Sequence, residues 1–550
     1  MIFLKKNIIF AFLSIFVFFL FYDLSWGAPF YFHPDERNIA LSVSQLHLFN
    51  NLNPHFFAYG SLPIYAIYFS GLILNFLESP FAFNNFTVGF EHAIIIGRIF
   101  SASFTILTLY LIFEFTKKLA DKITARAALL FGSTSIAFLQ YSHFATFEMW
   151  LSFFYLLLIY LLYLFLTRGG LKYFVLASIT LGVAISIKVS SLVLISIPLL
   201  VIAKKVLDEK PLIKKTQILT RLTSILIYFP FLTYLLTNPY VFIDTKSFID
   251  SINYEASVAL GTLPVFYTGV FYNTTPILFQ YLKTLPFLLN PLITALSLPA
   301  ILAVFYFALK KKDIYVLLLL LSLTIIFASQ SVLFTKWTRY VVPSASFFYI
   351  VIALFLFNVK NLLPGKAWNI SVIAIFIVAL LFSFSFIKTV RLTPDPRIAG
   401  ANFAKKNIQS ESKVVSEVYD MGIVPFNNHL RNITLFNFYE LDNGPSKIEE
   451  LYKLLESTDY IILPSQRILR SRIINKERFP RGFNFYSNLL SEKSGFKKIY
   501  ETPCDIFCKL LYIGDPIFNV EETVNIFDRP SLFIFKKNKQ NFQFPISNFQ

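Results

Sequence analysis

The sequence predicts a polytopic α-helical membrane protein, with about eleven transmembrane helices and a C-terminal extracytoplasmic α/β domain. Three observations carry that prediction. Of 550 residues, 56% are hydrophobic and only 15% charged, against about 45–50% and about 25% in soluble globular chains. The apolar residues gather into windows near the roughly 20 residues a helix needs to cross a hydrocarbon core. From Arg391 onward those windows vanish, charge rises, and Pro394, Pro396 and Gly400 punctuate the chain.

In chain order the windows are 7–26, 91–115, 124–143, 148–166, 172–187, 189–203, 216–237, 289–309, 313–333, 340–357 and 367–388. Lys5-Lys6 ahead of the first window resembles a signal peptide. The run is long, however, and Ser25-Trp26-Gly27-Ala28 is a poor cleavage sequence, so it reads as an uncleaved first span. Residues 61–77 and 275–288 are also apolar. They are read as helices lying in or dipping into the interface, because parity fails if either spans. With the N-terminus cytoplasmic, the inside loops carry 19 basic and 5 acidic residues, and the outside of the membrane region 8 and 9. That asymmetry fits the positive-inside rule. Most of the +17 net charge is therefore orientation, and nucleic acid is not an expected partner. The chain divides into a membrane domain, 1–390, whose first outer loop 27–90 holds interfacial helices, and an extracytoplasmic domain, 391–550. The expected location is the cytoplasmic membrane, multi-pass, with the second domain outside.

In the tail, Val414-Val415, Ile433–Phe438, Tyr460–Leu463 and Leu532–Phe535 read as buried strands. Ser446-Lys447-Ile448-Glu449 reads as a capping box opening a helix whose apolar face is Leu451, Leu454 and Leu455. Two cysteines exclude a disulfide scaffold and a Cys-rich metal cluster. Cys504 and Cys508 can pair only on a helical or turned backbone; paired and unpaired both stay open. No internal repeat or nucleotide phosphate loop is present.

Ionisable residues near or within a bilayer are costly and mark sites. After the first span comes His33-Pro34-Asp35-Glu36. Pro34 disfavours the helical conformation at His33 and suits a first helical turn, which puts Asp35 and Glu36 at the positive end of a helix. Ile39, Ala40, Leu41, Val43 and Leu46 would form its apolar face. Arg98 lies about two turns inside the outer end of the second span and needs an anion; a lipid phosphate is the natural one there. Glu148, Lys188, Lys336 and Arg339 converge on the same outer face. A carboxylate surrounded by cations suits a lipid-phosphate donor. A departing phosphate needs charge stabilisation and no proton, while one carboxylate suffices to deprotonate an incoming hydroxyl. A glycosidase would need a second carboxylate as general acid.

These residues resemble the polyprenyl-phosphate-dependent membrane glycosyltransferases of the GT-C fold, in particular the protein O-mannosyltransferase family (glycosyltransferase family 39) and the aminoarabinose transferases. The resemblance rests on Asp35-Glu36, Gly97-Arg98-Ile99-Phe100-Ser101-Ala102, Gly182…Lys188, Asn238-Pro239-Tyr240 and Arg339-Tyr340 with Pro343. In the tail it rests on Tyr460–Arg467 and Glu477–Pro480. It implies inverting transfer of a sugar from a polyprenyl-phosphate donor to an acceptor hydroxyl of a protein, lipid or envelope glycan. Asp35 would be the catalytic base, Glu36 would orient the site, and Arg98, with Arg339 and Lys336, would hold the donor phosphate. His33, Glu148 and Lys188 are further candidates. Ala58-Tyr59-Gly60-Ser61-Leu62-Pro63 stands where the aminoarabinose transferases carry a phosphate-binding lysine, and the tail does not resemble the β-trefoil of eukaryotic O-mannosyltransferases. No cofactor is required. The one alternative is a divalent cation on His33, Asp35, His143 and Glu148, whose spacing follows no metal motif. A lipid-linked oligosaccharide ligase or polymerase is the nearer alternative function. A transporter or flippase is the more distant one, for which the repeated half is missing.

Overall fold

Each apolar window becomes a helix, and the departures come where polar side chains interrupt the backbone ladder. The computed structural model describes residues 6–78, 86–360, 362 and 366–538; Lys5 and the last residues of the second domain, 539–550, lie outside them. The first elements are α1 (Lys6–Phe21), α2 (Pro34–Ser44), α3 (Ser61–Glu78), α4 (Phe90–Leu119), α5 (Lys122–Ser133), α6 (Ile136–Tyr141), α7 (Glu148–Arg168), α8 (Leu171–Ile187), α9 (Ser196–Asp208) and α10 (Leu212–Thr237). Helices over Pro291–Lys311, Ile314–Ser331, Thr338–Val359 and Ala367–Arg391 complete the bundle. Among the described residues nine helices are long and apolar enough to cross a membrane, and Ile9–Phe21 and Leu171–Ile187 are shorter apolar ones. The chain is a multi-pass membrane protein. Thr338–Val359 is 83% buried within the protein and Leu212–Thr237 only 17%, so the former is central and the latter peripheral.

The window 124–143 is two helices, α5 and α6, rather than one. Ser135 caps α6 by accepting from Phe138 N, and the Thr134 carbonyl freed by the break accepts from Ser383 Oγ at 2.6 Å. Buried backbone groups are thus repaired by side chains, as a low-dielectric interior demands. Residues 275–288 form only a π turn, Gln280–Thr284, and Leu285–Leu288, too short to span. Helix α3 is 18 residues long, enough to cross. Yet its first residue, Ser61, is held by Asn238 at the end of α10, and Gly71 and Asn75 meet Val88 and Thr87 just ahead of α4. It lies across the end of the bundle that carries the second domain, called here the domain face.

Helix α1 packs into the bundle through Ile9, Phe16 and Leu20. On α2, Ile39, Ala40 and Val43, and Leu46 just beyond its end, are buried as the pattern predicts, whereas Leu41 is exposed.

The second domain is a five-stranded sheet: β1 (Lys413–Glu417), β2 (Asn432–Phe436), β3 (Tyr460–Leu463), β4 (Phe496–Glu501) and β5 (Phe533–Lys537), in the order β2-β1-β3-β5-β4. β2, β1 and β3 run parallel, and β5 is antiparallel to β3 and β4. The four expected strands are present, but β2 is an edge strand and largely exposed rather than buried. β4 was not foreseen, because its charged sequence Phe-Lys-Lys-Ile-Tyr-Glu has no apolar run. The helix expected from a capping box at Ser446 instead starts at Pro445, with Gly444 as cap and no side-chain cap bond. Proline's fixed φ favours the first helical position, which moves Ser446 inside the helix. Cys504 and Cys508 are disulfide-bonded with Cα atoms 5.2 Å apart. The bridge is possible because Asp505 caps a short helix, Ile506–Leu511, that begins just after Cys504 and carries Cys508.

The segment following that bridge packs on the domain face. Gln140 Nε2 donates to Val524 O at 2.7 Å and to Asp528 Oδ2 at 3.1 Å. Burial pushes the carboxyls of Glu417, Glu522 and Asp528 up to about 7. Between about pH 4, the ordinary carboxylate range, and 7, the folded chain holds protons that the unfolded chain has released. Stability therefore falls as pH rises through that window. The melting temperature of detergent-purified protein is expected to drop from pH 5 to 8. Asp528→Asn, which keeps an acceptor for Gln140, is expected to flatten that slope.

Candidate active site

The site starts from the turn that His33 and Pro34 impose. His33 caps α2 in an extended conformation and Pro34 occupies its first turn, so Asp35 and Glu36 stand at the helix's positive end. The two carboxylates then diverge. Glu36 is fully buried and receives Arg98 Nε at 2.9 Å and Nη2 at 2.8 Å, together with the amide of Ala145. Arg98 Nη1 donates to the carbonyls of Leu24 at 2.6 Å and Trp26 at 3.0 Å, and the guanidinium lies 4.6 Å from the Trp26 ring centre. Arg98 is 0% exposed. An arginine so enclosed has no face for a ligand, so the expectation that it holds the donor phosphate is corrected. Within the bundle its anion is Glu36, and the pair ties α2 and the segment after α1 to α4. Of residues 22–28 only Trp26 is buried, so the Leu24 and Trp26 carbonyls tie this segment to the core at two points.

Asp35 faces the other way. It pairs with Arg339, whose Nη1 also donates to Tyr59 Oη at 3.0 Å, and Tyr59 Oη lies 3.5 Å from Asp35 Oδ2. Burial alone would raise the Asp35 carboxyl, but Arg339, helped by His33, Lys188 and Arg467, holds it below the usual carboxylate range. The Lys188 ammonium lies 4.5 Å from the Tyr340 ring centre, and among the described residues it has no ion-pair or hydrogen-bond partner. Lys188, Arg339, Tyr340, Glu148, Ser190 and Gln330 line one cleft. Glu148 is buried there with Oε2 unpartnered.

The remaining candidates fall outside the cleft lining. Lys336 is 2% exposed and donates to Phe334 O at 2.9 Å, so its expected phosphate role is also corrected. His33 is buried between Phe144 and Phe527, with ring centres 4.6 and 4.2 Å away. Burial lowers its pKa. His143 stacks on Trp26 at 4.6 Å. Among the described residues no group of three His, Cys, Asp or Glu side chains could hold a metal ion, so the four residues named for a cation are not brought together.

Sequence reasoning missed Tyr59, Tyr340 and Arg467 as site residues. The signal for Tyr59 was its neighbour. A Cβ on Gly60 would lie 1.9 Å from the Ser186 carbonyl oxygen, and Gly60 N donates to Ile187 O at 2.9 Å. Only glycine lets this segment press against the end of α8, which sets Tyr59 beside both Asp35 and Lys188. Gly60→Ala is expected to destabilise the protein by about 1–3 kcal/mol and to cut activity further. A melting curve and a rate measurement on the same sample check this. Arg467 follows β3, near the carboxyl ends of β1 and β3 where the strand order reverses, a usual ligand position in open sheets. Its Nε bonds Glu522 at 3.0 Å.

Residues 86–234 match the family model described as dolichyl-phosphate-mannose-protein mannosyltransferase. That stretch includes Arg98, Glu148 and Lys188 but neither Asp35 nor Arg339. No curated protein sequence matches the chain. Among solved structures, the Archaeoglobus fulgidus oligosaccharyltransferase tethered with an acceptor peptide containing the NVT sequon aligns with a TM-score of 0.55 at 13% identity, covering 98% of this chain and 89% of that one. The same enzyme in complex with zinc and sulfate gives 0.52 at 13%, covering 96% and 88%. Apo ArnT from Cupriavidus metallidurans gives 0.47 at 14%, covering 83% and 92%. The chain shares the fold of the oligosaccharyltransferase structures, the GT-C fold.

Proposed function

We propose that this protein is an inverting glycosyltransferase that moves a sugar from a polyprenyl-phosphate donor to an acceptor hydroxyl at the outer face of the cytoplasmic membrane. The family-model match and the shared GT-C fold support the general class. The observation that carries the reading is the Asp35–Arg339 pair, whose Arg339 lines one cleft with the uncommitted Lys188.

Asp35 accepts the acceptor's hydroxyl proton as that oxygen attacks the anomeric carbon. The carbon–oxygen bond to phosphate breaks with its electron pair on the phosphate, which leaves as polyprenyl phosphate. Arg339 and Lys188 offset the charge that develops there. One displacement inverts the anomeric centre. The substrates are a hexosyl or pentosyl polyprenyl phosphate and a hydroxyl on a protein, lipid or envelope glycan, and no cofactor enters the scheme.

The test is incubation of membranes carrying the protein with a panel of polyprenyl-phosphate sugars, followed by mass spectrometry of the products. A single sugar added to one acceptor class supports the reading. Transfer of whole lipid-linked oligosaccharides, or transbilayer movement of donor without transfer, contradicts it.

A further inference from the structure

Arg339 is delivered to Asp35 by a segment that the membrane domain does not hold alone. Thr338, its neighbour, is fully buried, and its amide and hydroxyl both donate to Glu521 Oε2, at 3.0 and 2.6 Å. Thr523 Oγ1 donates to the same oxygen. Glu521 belongs to the second domain, is 0% exposed, and is itself fixed by donation of its amide to Lys283 O at 3.0 Å. The next residue, Glu522, binds Arg467.

We infer that Glu521 is a positioning residue for the proposed transfer. Through Thr338 it fixes the turn carrying Arg339, so the α/β domain completes the site from outside the membrane domain. The inference rests on the reading of Asp35 as base and Arg339 as its partner and phosphate ligand. Burying a carboxylate this deeply is costly unless all its work is hydrogen bonding. Here three donors converge on one oxygen while Oε1 has no partner. That arrangement needs an acceptor oxygen, which an amide also supplies.

A release of Thr338 would free Arg339 to leave Asp35. Burial would then govern the Asp35 carboxyl, whose pKa would rise, and the acid limb of the rate profile would move up. A purely structural glutamate would lower stability without moving that limb.

The experiment compares wild type, Glu521→Ala and Glu521→Gln as full-length protein in detergent, by amide hydrogen exchange and by the pH dependence of transfer. In Glu521→Ala, exchange across residues 335–341 is expected to speed up by about tenfold or more, and the acid limb to rise by about one pH unit. Glu521→Gln, which keeps the acceptor oxygen, is expected to stay within about twofold of wild type in exchange, with its limb unmoved. If Glu521→Ala does not fold, Thr338→Val replaces it; it removes only the hydroxyl donor and should move both readouts the same way by less. Unchanged exchange and an unmoved limb, or a Glu521→Gln that behaves like Glu521→Ala, would overturn the inference. If wild type transfers no sugar from any donor, the proposed function fails, and the exchange data alone then decide whether Glu521 orders the Arg339 turn.

Discussion

Arg98→Ala is expected to cost about 3–5 kcal/mol of stability, because it leaves the Glu36 carboxylate buried without its cation. The loss extends beyond the pair. Arg98 also satisfies the Leu24 and Trp26 carbonyls, so the segment leading to Asp35 loses its anchor, and little protein should survive extraction in monodisperse form. Replacing both partners by apolar residues of similar size, Glu36→Leu with Arg98→Met, should cost less than the arginine change alone. It removes both charges but still leaves the two carbonyls and the Ala145 amide unpaired. Thermal melting followed by size-exclusion chromatography reads these differences. An arginine that held a donor phosphate would behave otherwise: the protein would stay stable, and only the KM for donor would rise.

The second large effect is at the base. Asp35→Asn retains the size and the contact with Tyr59 but cannot accept a proton. Loss of a positioned general base slows proton transfer by about 100- to 10,000-fold, so transfer should fall by about that factor while melting behaviour changes little. Asp35 is only partly enclosed, unlike Glu36, and its side chain is 22% exposed. Because Arg339 holds the carboxyl low, the wild-type rate should not decline through Asp35 protonation until the pH drops below about 4, the ordinary carboxylate value. The sign follows directly: the active form is the anion, stabilised by the adjacent cation.

Much of the fold was legible because a bilayer imposes simple rules on sequence. Most apolar windows became single helices, and Pro34 started α2 where its fixed φ allowed. The interruption at Thr134-Ser135 was not legible, since it depends on Ser383, some 250 residues away, to repair a carbonyl. The site divided in the same manner. The neighbourhood of Asp35, Lys188 and Arg339 was visible as charges that converge on one face. What sequence does not carry is which cation meets which anion. Arg98 and Lys336 read like Arg339 on paper, yet one is consumed by Glu36 and the other by a backbone carbonyl. Tyr59 and Arg467 stood only inside longer motifs with no site role, because their place comes from close approach, through Gly60 in one case and the packing of the second domain in the other.

The central claim is direct displacement at the sugar carbon with Asp35 as base. It is tested most directly by reconstituting the purified protein with one defined polyprenyl-phosphate sugar and its acceptor, then following polyprenyl phosphate release and the anomeric configuration of the product together. One polyprenyl phosphate released per sugar transferred, a product of inverted configuration, and loss of both signals in Asp35→Asn are expected. A product of retained configuration, or release by Asp35→Asn at the wild-type rate, would contradict it.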